Sequence, residues 1–430
     1  MFSNGQNSHS KRTFGGSTTC AGSIVLAGII IALVSIKLIN FEVGPNARNA
    51  VDLAVYHNVG KWVLHGFSPY SIYFGTHLHH PLPFTYPPFG AVLLTPLSLL
   101  PFLPLAWIWD LSCLLVLSII VLKYFQPLMQ RFGKTRWALL VGVVLLISIF
   151  WTRPVRNNLG FGQIDIFLMA MCMADILIEN PPWPRGMLIG IGTAMQIAPG
   201  IFILYLLLSK RWRPFWTATL TAGLATALGV LAMPSLSVLY FSKLLFTPGR
   251  VGNISFFSNQ SIWGMLSRVS LGSWHAPLLV IGSALIGVIG MMAAVRVMEH
   301  DLKRSVVLIG LVWILVSPIT WIHGEVWLIP AIGLMLGDGR STWKVLLGVF
   351  SMIILIFRIK NIDRNPNLVH IPHLIVVLLV DCYGMLAILL LVLLAYRPLS
   401  EYFHNGFWKK PVGQGKGDSL KIEVLSALED

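Results

Sequence analysis

Residues 187–208 read MLIGIGTAMQIAPGIFILYLLL, and this segment decides how the chain is threaded through a membrane. It is apolar and long enough to cross a bilayer as one helix, which takes about 20 residues. However, Pro199 and Gly200 interrupt it close to the polar Gln196. Because proline removes a backbone hydrogen bond inside a helix, the segment predicts two half-helices with a break between them.

Basic residues flank this segment on both sides, with Arg185 before it and Lys210 and Arg211 after it. Clusters of Lys and Arg are typical of cytoplasmic loops. A re-entrant hairpin brings both ends back to the cytoplasm, so it accounts for the break and the charges together. The alternative is a kinked full span with one misplaced basic cluster.

The chain on either side of the hairpin is equally apolar. Of its 430 residues, 56% are hydrophobic and 11% are charged, whereas about a quarter of the residues of a soluble domain are charged. We therefore expect an all-α polytopic membrane protein with about ten full spans plus the hairpin. The apolar runs outside the hairpin lie near residues 22–40, 103–123, 137–152, 164–179, 214–233, 276–296, 305–320, 325–336, 343–358 and 374–396.

The net charge of +14 reflects topology rather than a nucleic-acid partner, because the Lys and Arg residues occur in short clusters between apolar runs. Such clusters face the cytoplasm and attract anionic lipid headgroups. The expected organisation is a cytoplasmic tail at residues 1–21, a single transmembrane catalytic domain at 22–396 and a second cytoplasmic tail at 397–430.

Most of the unusual polar residues fall in the stretches that this threading leaves outside the cell. Chemistry in these stretches would face away from cytoplasmic ATP and nucleotide sugars. We therefore expect a multi-pass plasma-membrane protein with its site on the external, periplasmic face. The outer stretches are residues 41–102, 153–163, 234–275, 321–324 and 359–373.

The first outer stretch carries a carboxylate, several histidines and a rigid aromatic–proline run. Asp52 lies at a lipid–water boundary, where partial desolvation makes a carboxylate a better general base; alternatively it caps the next helix. His57 and His80 are candidate binding residues, and Tyr86 belongs to the run FTYPP, which predicts a wall beside a lipid-carrier groove. No metal is predicted, because the histidines lack an acidic or Cys partner at ligand spacing.

The second outer stretch contains two arginines, which are unusual outside the cytoplasm. Arg153 and Arg156 are candidate phosphate ligands, because guanidinium binds phosphate through paired donors. Alternatively, they extend to lipid headgroups. Asn158 and Gln163 follow them in the motif NNLGFGQ (157–163) and are further candidates for binding donor or acceptor.

Two later outer stretches add amides and an aromatic platform. The side chains of Asn259 and Gln260 either cap a helix or bind sugar hydroxyls. Trp321 and His323 combine a ring on which a sugar can stack with a hydrogen-bonding imidazole. The alternative for this pair is an ordinary membrane-interface role.

Taken in order, these segments resemble glycosyltransferase family 87, a family of GT-C-type membrane enzymes of actinobacteria. The resemblance extends over roughly residues 50–335. The motifs that carry it are DLAVYHNVGKWVLHGFSPY (52–70), PLPFTYPPFGAVLLTPLSLLP (81–101), NLGFGQIDIFLMAMCMAD (158–175), PWPRGMLIGIGTAMQIAPGIFILYLLLSKRWRP (182–214), NQSIWGML (259–266) and LVSPITWIHGEVWLIPA (315–331).

The resemblance implies a GT-C fold and transfer of mannose, with inversion, from polyprenyl-phosphate-mannose to a mannosylated lipoglycan acceptor. The product is an α-(1→2) linkage of the kind found in lipomannan, lipoarabinomannan and phosphatidylinositol mannosides, and no cofactor is implied. In the family's pattern Asp52 is the catalytic base and His323 contacts donor or acceptor. Two positions depart from that pattern, with Gly324 in place of a second histidine and Gln196 in place of a lysine.

Three alternatives remain open at this stage. An arabinofuranosyltransferase that uses decaprenyl-phosphate arabinose would share the architecture. A transporter or flippase for a lipid-linked glycan predicts charges lining a pathway and often inverted repeats. The sequence shows few charges inside its apolar runs and no evident repeat. A structural scaffold subunit would leave the outer polar cluster without a role.

Overall fold

The computed structural model describes residues 16–44, 50–70, 73–74, 82–133, 136–269, 271–357 and 373–405. This part of the chain is helical, as predicted, apart from one short antiparallel pair of strands, β1 (Tyr73–Phe74) and β2 (Leu82–Pro83). The helices are α1 (Gly16–Glu42), α2 (Val51–Leu64), α3 (Pro88–Leu94), α4 (Phe102–Tyr124), α5 (Gln126–Gln130), α6 (Arg136–Phe150), α7 (Arg153–Phe161), α8 (Asp165–Leu177), α9 (Met187–Met195), α10 (Ile201–Leu208), α11 (Trp212–Ala232), α12 (Pro234–Ser242), α13 (Ile262–Ser267), α14 (His275–Val297), α15 (Leu302–Val316), α16 (Leu328–Leu336), α17 (Thr342–Ile356), α18 (His373–Val380) and α19 (Cys382–Asn405).

Several helices are apolar on all sides, which is characteristic of a membrane protein. Within the described residues, three helices are long and apolar enough to cross a bilayer: Phe102–Tyr124, Trp212–Ala232 and Gly272–Val297. The pair Trp137–Phe150 and Arg153–Phe161, bent by 61°, gives a fourth if it counts as one span. The expected number of about ten full spans is not confirmed, because most of the other apolar helices are shorter.

The segment 187–208 is broken where its sequence predicts. Helix α9 ends at Met195, a 3₁₀ turn covers Ala198–Gly200, and α10 begins at Ile201. A single cavity of about 550 Å³ is lined by Arg185 and Gly186 from one end of the segment and by Arg211 and Pro214 from just beyond the other. The two ends therefore lie together, as in a hairpin.

Glycine lets the first half of this hairpin pack closely along α11. A Cβ on Gly190 would lie 2.6 Å from the carbonyl oxygen of Ala218, and one on Gly186 would lie 2.2 Å from that of Pro214. Since real Cβ atoms essentially never approach so closely, both positions need glycine for this backbone contact.

Helix α15 forms the centre of the bundle, and 11 of its 15 residues are buried. Gly310 on this helix receives the indole of Trp327, since a Cβ there would lie 2.0 Å from the Trp327 ring. Trp327 ends the 3₁₀ turn Ile322–Trp327, so this close contact anchors the turn that carries His323. The same turn packs against α7, and α7 also contacts α2.

Candidate active site

A cavity of about 270 Å³ is lined by residues of the turn Ile322–Trp327 and of the connection that follows α7. Its polar wall includes Tyr86, Gln163, Asp165, Trp321 and His323, so four of the residues predicted from the sequence share one cavity. Asp52 is not itself part of this wall, but it is bonded directly to Gln163, which is.

The carboxylate of Asp52 is held through one oxygen. Gln163 Nε2 donates to Asp52 Oδ2 at 2.7 Å. No donor among the described residues contacts the other oxygen, Oδ1, and Asp52 is only partly buried. The side chain is therefore fixed in direction while one oxygen stays free to accept a proton.

A chain of hydrogen bonds fixes the orientation of the Gln163 amide. Tyr56 OH donates to Gln163 Oε1 at 3.0 Å, and the Tyr56 and Tyr86 hydroxyls lie 2.7 Å apart. Because Tyr56 has one hydroxyl proton and uses it on Gln163, Tyr86 is the donor between the two tyrosines. Burial raises the pKa of both phenols well above 10, so both keep their protons.

The backbone turn between α7 and α8 brings Gln163 to Asp52. Gly162 N bonds to Leu159 O and Gln163 N bonds to Asn158 O, a Schellman motif that closes α7. Gly162 has φ +68°, and a Cβ there would lie 2.5 Å from Leu53 Cβ. Glycine is thus required both by the left-handed conformation and by contact with the residue after Asp52.

The surroundings of Asp52 make it more basic than an ordinary aspartate. Burial raises the pKa of Asp52 from 3.8 to about 6, while His323 and the hydrogen bond from Gln163 each lower it. The carboxylate is therefore still ionised at neutral pH, yet it binds a proton far more readily than an exposed one.

His323 forms the second polar pair of the site. Its Nδ1 lies 2.6 Å from Asp165 Oδ2, and each residue is about nine-tenths buried. Asp165 is the first residue of α8. The rings of Phe161 and His323 form an edge-to-face pair with their centres 6.3 Å apart. The carboxylate fixes the imidazole so that its other nitrogen, Nε2, is available for a further contact.

Asn259 and Gln260 hold the segment that leads to His323. Asn259 Nδ2 donates to the carbonyls of Ile254 and Pro318, and its Oδ1 accepts from Thr320 N. Gln260 Nε2 donates to the carbonyls of Phe257 and Val380, and its Oε1 accepts from Gly384 N. Both side chains are fully buried, so their amides cross-link the fold rather than face the cavity.

Other residues named from the sequence lie away from the cavity wall. His57 is buried and its Nε2 lies 3.0 Å from Leu100 O, and burial lowers its pKa. Arg156 pairs with Glu42 and lies over the rings of Phe41 and Trp151.

Two residues of α7, Arg153 at its first position and the fully buried Asn158, are likewise not among the lining residues. His80 falls outside the described residues.

Two cavity residues were missed by the sequence reasoning. Arg250 lines the cavity and donates from Nη1 to Phe84 O at 2.7 Å. The sequence could have identified Arg250, because it is a basic residue in an outer stretch and the same argument was applied to Arg153. Asp165 lies at the start of an apolar run, where an acidic residue is common at the beginning of a helix. Its pairing with His323 depends on tertiary structure, which no spacing in the sequence reveals.

Comparison with known proteins places these residues in a family context. The model of glycosyltransferase family 87 matches residues 84–318. The chain is 30% identical, over 80% of its length and 82% of the relative's, to the polyprenol-phosphate-mannose-dependent α-(1-2)-phosphatidylinositol mannoside mannosyltransferase of Mycobacterium tuberculosis. It is 31% identical to the corresponding pentamannoside mannosyltransferase of Mycolicibacterium smegmatis, over 66% of this chain and 69% of the relative.

A more distant relative has a different transferred sugar in its name. An α-(1→3)-arabinofuranosyltransferase of Mycobacterium tuberculosis is 27% identical, but the match covers 44% of this chain and 43% of the relative. No solved structure matches the chain significantly.

Proposed function

The chain belongs to glycosyltransferase family 87, and on that basis we propose that it moves mannose from polyprenyl-phosphate-mannose to a mannoside lipoglycan acceptor. The transfer inverts the anomeric centre and forms an α-(1→2) linkage. The relatives that match most of the chain carry this donor and linkage in their names. The observation that carries the mechanism is Asp52, bonded through Oδ2 to Gln163 with Oδ1 free.

Asp52 acts as the general base. As the acceptor hydroxyl oxygen attacks the anomeric carbon of the β-linked donor, its proton passes to Asp52 Oδ1. The bond from the anomeric carbon to the phosphate oxygen breaks on the opposite face, and the polyprenyl phosphate leaves with the bonding electrons. Because that group leaves as an anion, no acid has to protonate it. A base with a pKa near 6 is well matched to this step at neutral pH.

The rest of the wall binds and orients the sugars. His323, fixed by Asp165, presents its Nε2 to a hydroxyl or a phosphate oxygen. Trp321 also lines the cavity, where its ring offers a face on which a sugar can stack. The backbone at Gly252 packs closely against the Trp321 ring, since a Cβ on Gly252 would lie 2.7 Å from it.

The proposed setting is a GT-C fold in the plasma membrane with the site on the external face. Helix α8 supports this placement, because Asp165 at its start lines the active-site cavity and Asp175 near its end lines the cavity that holds Arg185 and Arg211. The two aspartates are ten residues apart, about 15 Å along a helix. The basic residues that mark the cytoplasm thus lie at the opposite end from the site.

The experiment that tests this function is a transfer assay in membranes with polyprenyl-phosphate-mannose and a mannoside acceptor. We expect Asp52→Asn to lower the transfer rate by about a hundredfold or more, because general-base catalysis contributes roughly 10²–10⁴-fold. Asp338→Asn is the matched control, because Asp338 is exposed and its one partner among the described residues is the surface residue Arg340. Full activity of Asp52→Asn would remove the base from the mechanism.

The arabinofuranosyl donor is the second candidate, supported by the relative that matches 44% of the chain. The same membranes supplied with decaprenyl-phosphate arabinose separate the two donors. Preferential transfer of arabinose would replace mannose in the proposal. No transfer from either donor by the wild-type protein would favour a transporter.

A further inference from the structure

Arg250 is the basic side chain of the active-site cavity. Among the described residues that line the cavity, it is the only Arg or Lys. It is partly buried, donates from Nη1 to Phe84 O and lies 5.8 Å from the centre of the Tyr70 ring. These contacts hold the guanidinium in place and leave most of its five N–H donors for a ligand.

One of those donors is buried without a partner. Arg250 Nε is shielded from solvent and has no hydrogen bond among the described residues. A buried donor without a partner costs free energy, and a charged one more so. The acid that shares the cavity wall, Asp165, is already bonded to His323. An oxygen of a ligand beside Arg250 would satisfy Nε, and an anionic oxygen would also pair with the guanidinium charge.

The wall next to Arg250 is apolar and partly open. Leu244, Leu245 and Val251 line the cavity beside it. Leu245 and Val251 are 37% and 38% exposed, and the adjacent Phe246 is 74% exposed. On this side the cavity is therefore continuous with an apolar outer surface, onto which a hydrocarbon chain can extend.

From this arrangement we infer that Arg250 binds the phosphate of the isoprenoid carrier, and that Leu244, Leu245 and Val251 hold its first isoprenyl units. This site rests on the proposed function, since it locates the carrier that the reaction uses. It also sets the path of the carrier, whose chain leaves the cavity past the partly exposed Leu245.

The test compares two inhibitors that differ only in charge. Farnesyl phosphate and farnesol share the apolar chain, and only the first carries the anion. In wild-type protein we expect farnesyl phosphate to inhibit mannosyl transfer much more strongly than farnesol. Arg250→Gln should reduce that preference on the order of ten- to a hundredfold, the effect of one charge-assisted contact. Lys243→Gln, which removes an exposed cation outside the cavity, should keep it.

The apolar half of the site is tested by chain length. Leu245→Asn should reduce the preference for farnesyl phosphate over dimethylallyl phosphate, which has a single isoprenyl unit. Val238→Asn is its control, since Val238 is 70% exposed and does not line the cavity. An unchanged preference in Leu245→Asn would show that the isoprenyl chain does not bind at the wall formed by Leu244, Leu245 and Val251.

Binding to the purified full-length protein separates this inference from the proposed function. The shift in melting temperature caused by farnesyl phosphate, measured against farnesol, requires no transfer activity. If wild-type protein shows the shift but transfers no mannose, the carrier site stands and the proposed donor fails. If Arg250→Gln keeps the full difference between the two compounds, the Arg250 assignment is overturned. Should Arg250→Gln fail to fold, Arg250→Lys is measured in the same way, and it should lose part of the difference.

Discussion

At the scale of single residues, the site depends on what holds Asp52. Gln163 takes one carboxylate oxygen, and Tyr56 and Tyr86 in turn hold the Gln163 amide. Every link has one possible direction, since Tyr56 must donate to the amide oxygen and the amide nitrogen must face the carboxylate. The network thus orients the carboxylate of Asp52, and the Gln163 bond lowers the pKa that burial has raised.

The pH dependence of transfer should report this balance. Activity requires ionised Asp52, so it should fall as the pH drops through about 6. Gln163→Ala removes an interaction that lowers the pKa, so the acidic limb of kcat/KM should move to higher pH. The rate on the plateau should fall on the order of tenfold, because the base is no longer oriented. Gln130→Ala, at an exposed glutamine, is the control.

An unchanged acidic limb in Gln163→Ala would show that Gln163 does not set the pKa of Asp52.

The raised pKa of Asp52 has the opposite effect on folding stability. Because folding raises the pKa of Asp52, its contribution to stability is complete below 3.8 and is lost as the pH rises through about 6. Activity and this part of stability therefore change in opposite directions with pH.

The structure places two residues predicted from the sequence at the cavity, with His323 on its wall and Asp52 one hydrogen bond away from it. The cations were assigned poorly. Asp52 and His323 stand in motifs whose order along the chain identifies the family, so their positions carried the information. Arg156 met the same criterion of an external arginine, yet it is engaged by Glu42. Arg250 met it too and lines the cavity. Nothing in a linear sequence separates these two arginines, because the difference lies in which partner the fold brings beside each.

At the scale of elements, the connection between α7 and α8 positions half of the site. It places Gln163 against Asp52 and Asp165 against His323 within three residues of chain. The Schellman turn at Gly162 makes this possible, because it reverses the chain while the backbone touches Leu53.

Gly162→Ala should therefore impair transfer more than its backbone strain alone predicts. The added Cβ would meet Leu53 Cβ at 2.5 Å and move α2, and with it Asp52, away from Gln163. We expect transfer to fall more than tenfold, since displacement of about 1 Å can cost a hundredfold. Gly66→Ala is the matched control, because Gly66 has φ +74° with nothing within 4 Å. Equal losses of transfer rate in both variants would show that the effect of Gly162→Ala is backbone strain and not displacement of Asp52.

Helix positions were largely predictable, and helix pairing was not. The runs 103–123, 214–233 and 276–296 correspond within two residues at each end to Phe102–Tyr124, Trp212–Ala232 and His275–Val297. The break near Pro199 was also visible, because proline acts locally. The close packing of Gly190 on Ala218 was not, since it joins two elements whose surfaces are almost uniformly apolar. An all-apolar helix gives no periodic signal of which face it buries.

At the scale of the whole molecule, the candidate active-site cavity and the cavity lined by basic residues lie at opposite ends of α8. The active-site cavity contains Asp165 and the other cavity contains Arg185 and Arg211, with α8 between them. The proposed reaction on the external face is consistent with this separation, because basic loops favour the cytoplasmic side. The predicted re-entrant hairpin α9–α10 bears on this arrangement, because it would return the chain to the basic face without adding a crossing.

Cysteine labelling in intact cells tests this arrangement directly. In a variant without the four native cysteines, Asn180→Cys and Lys210→Cys report on the two ends of the hairpin, and Thr247→Cys reports on the segment beside Arg250. All three positions are exposed. We expect a membrane-impermeant maleimide to label only the Thr247 position, and the other two only after permeabilisation. If Asn180 and Lys210 are labelled from opposite sides, 187–208 crosses the membrane and every later segment changes side. His323 would then be separated from Asp52, although Gln163 both lines the cavity with His323 and bonds to Asp52. The labelling therefore tests the site as well as the threading.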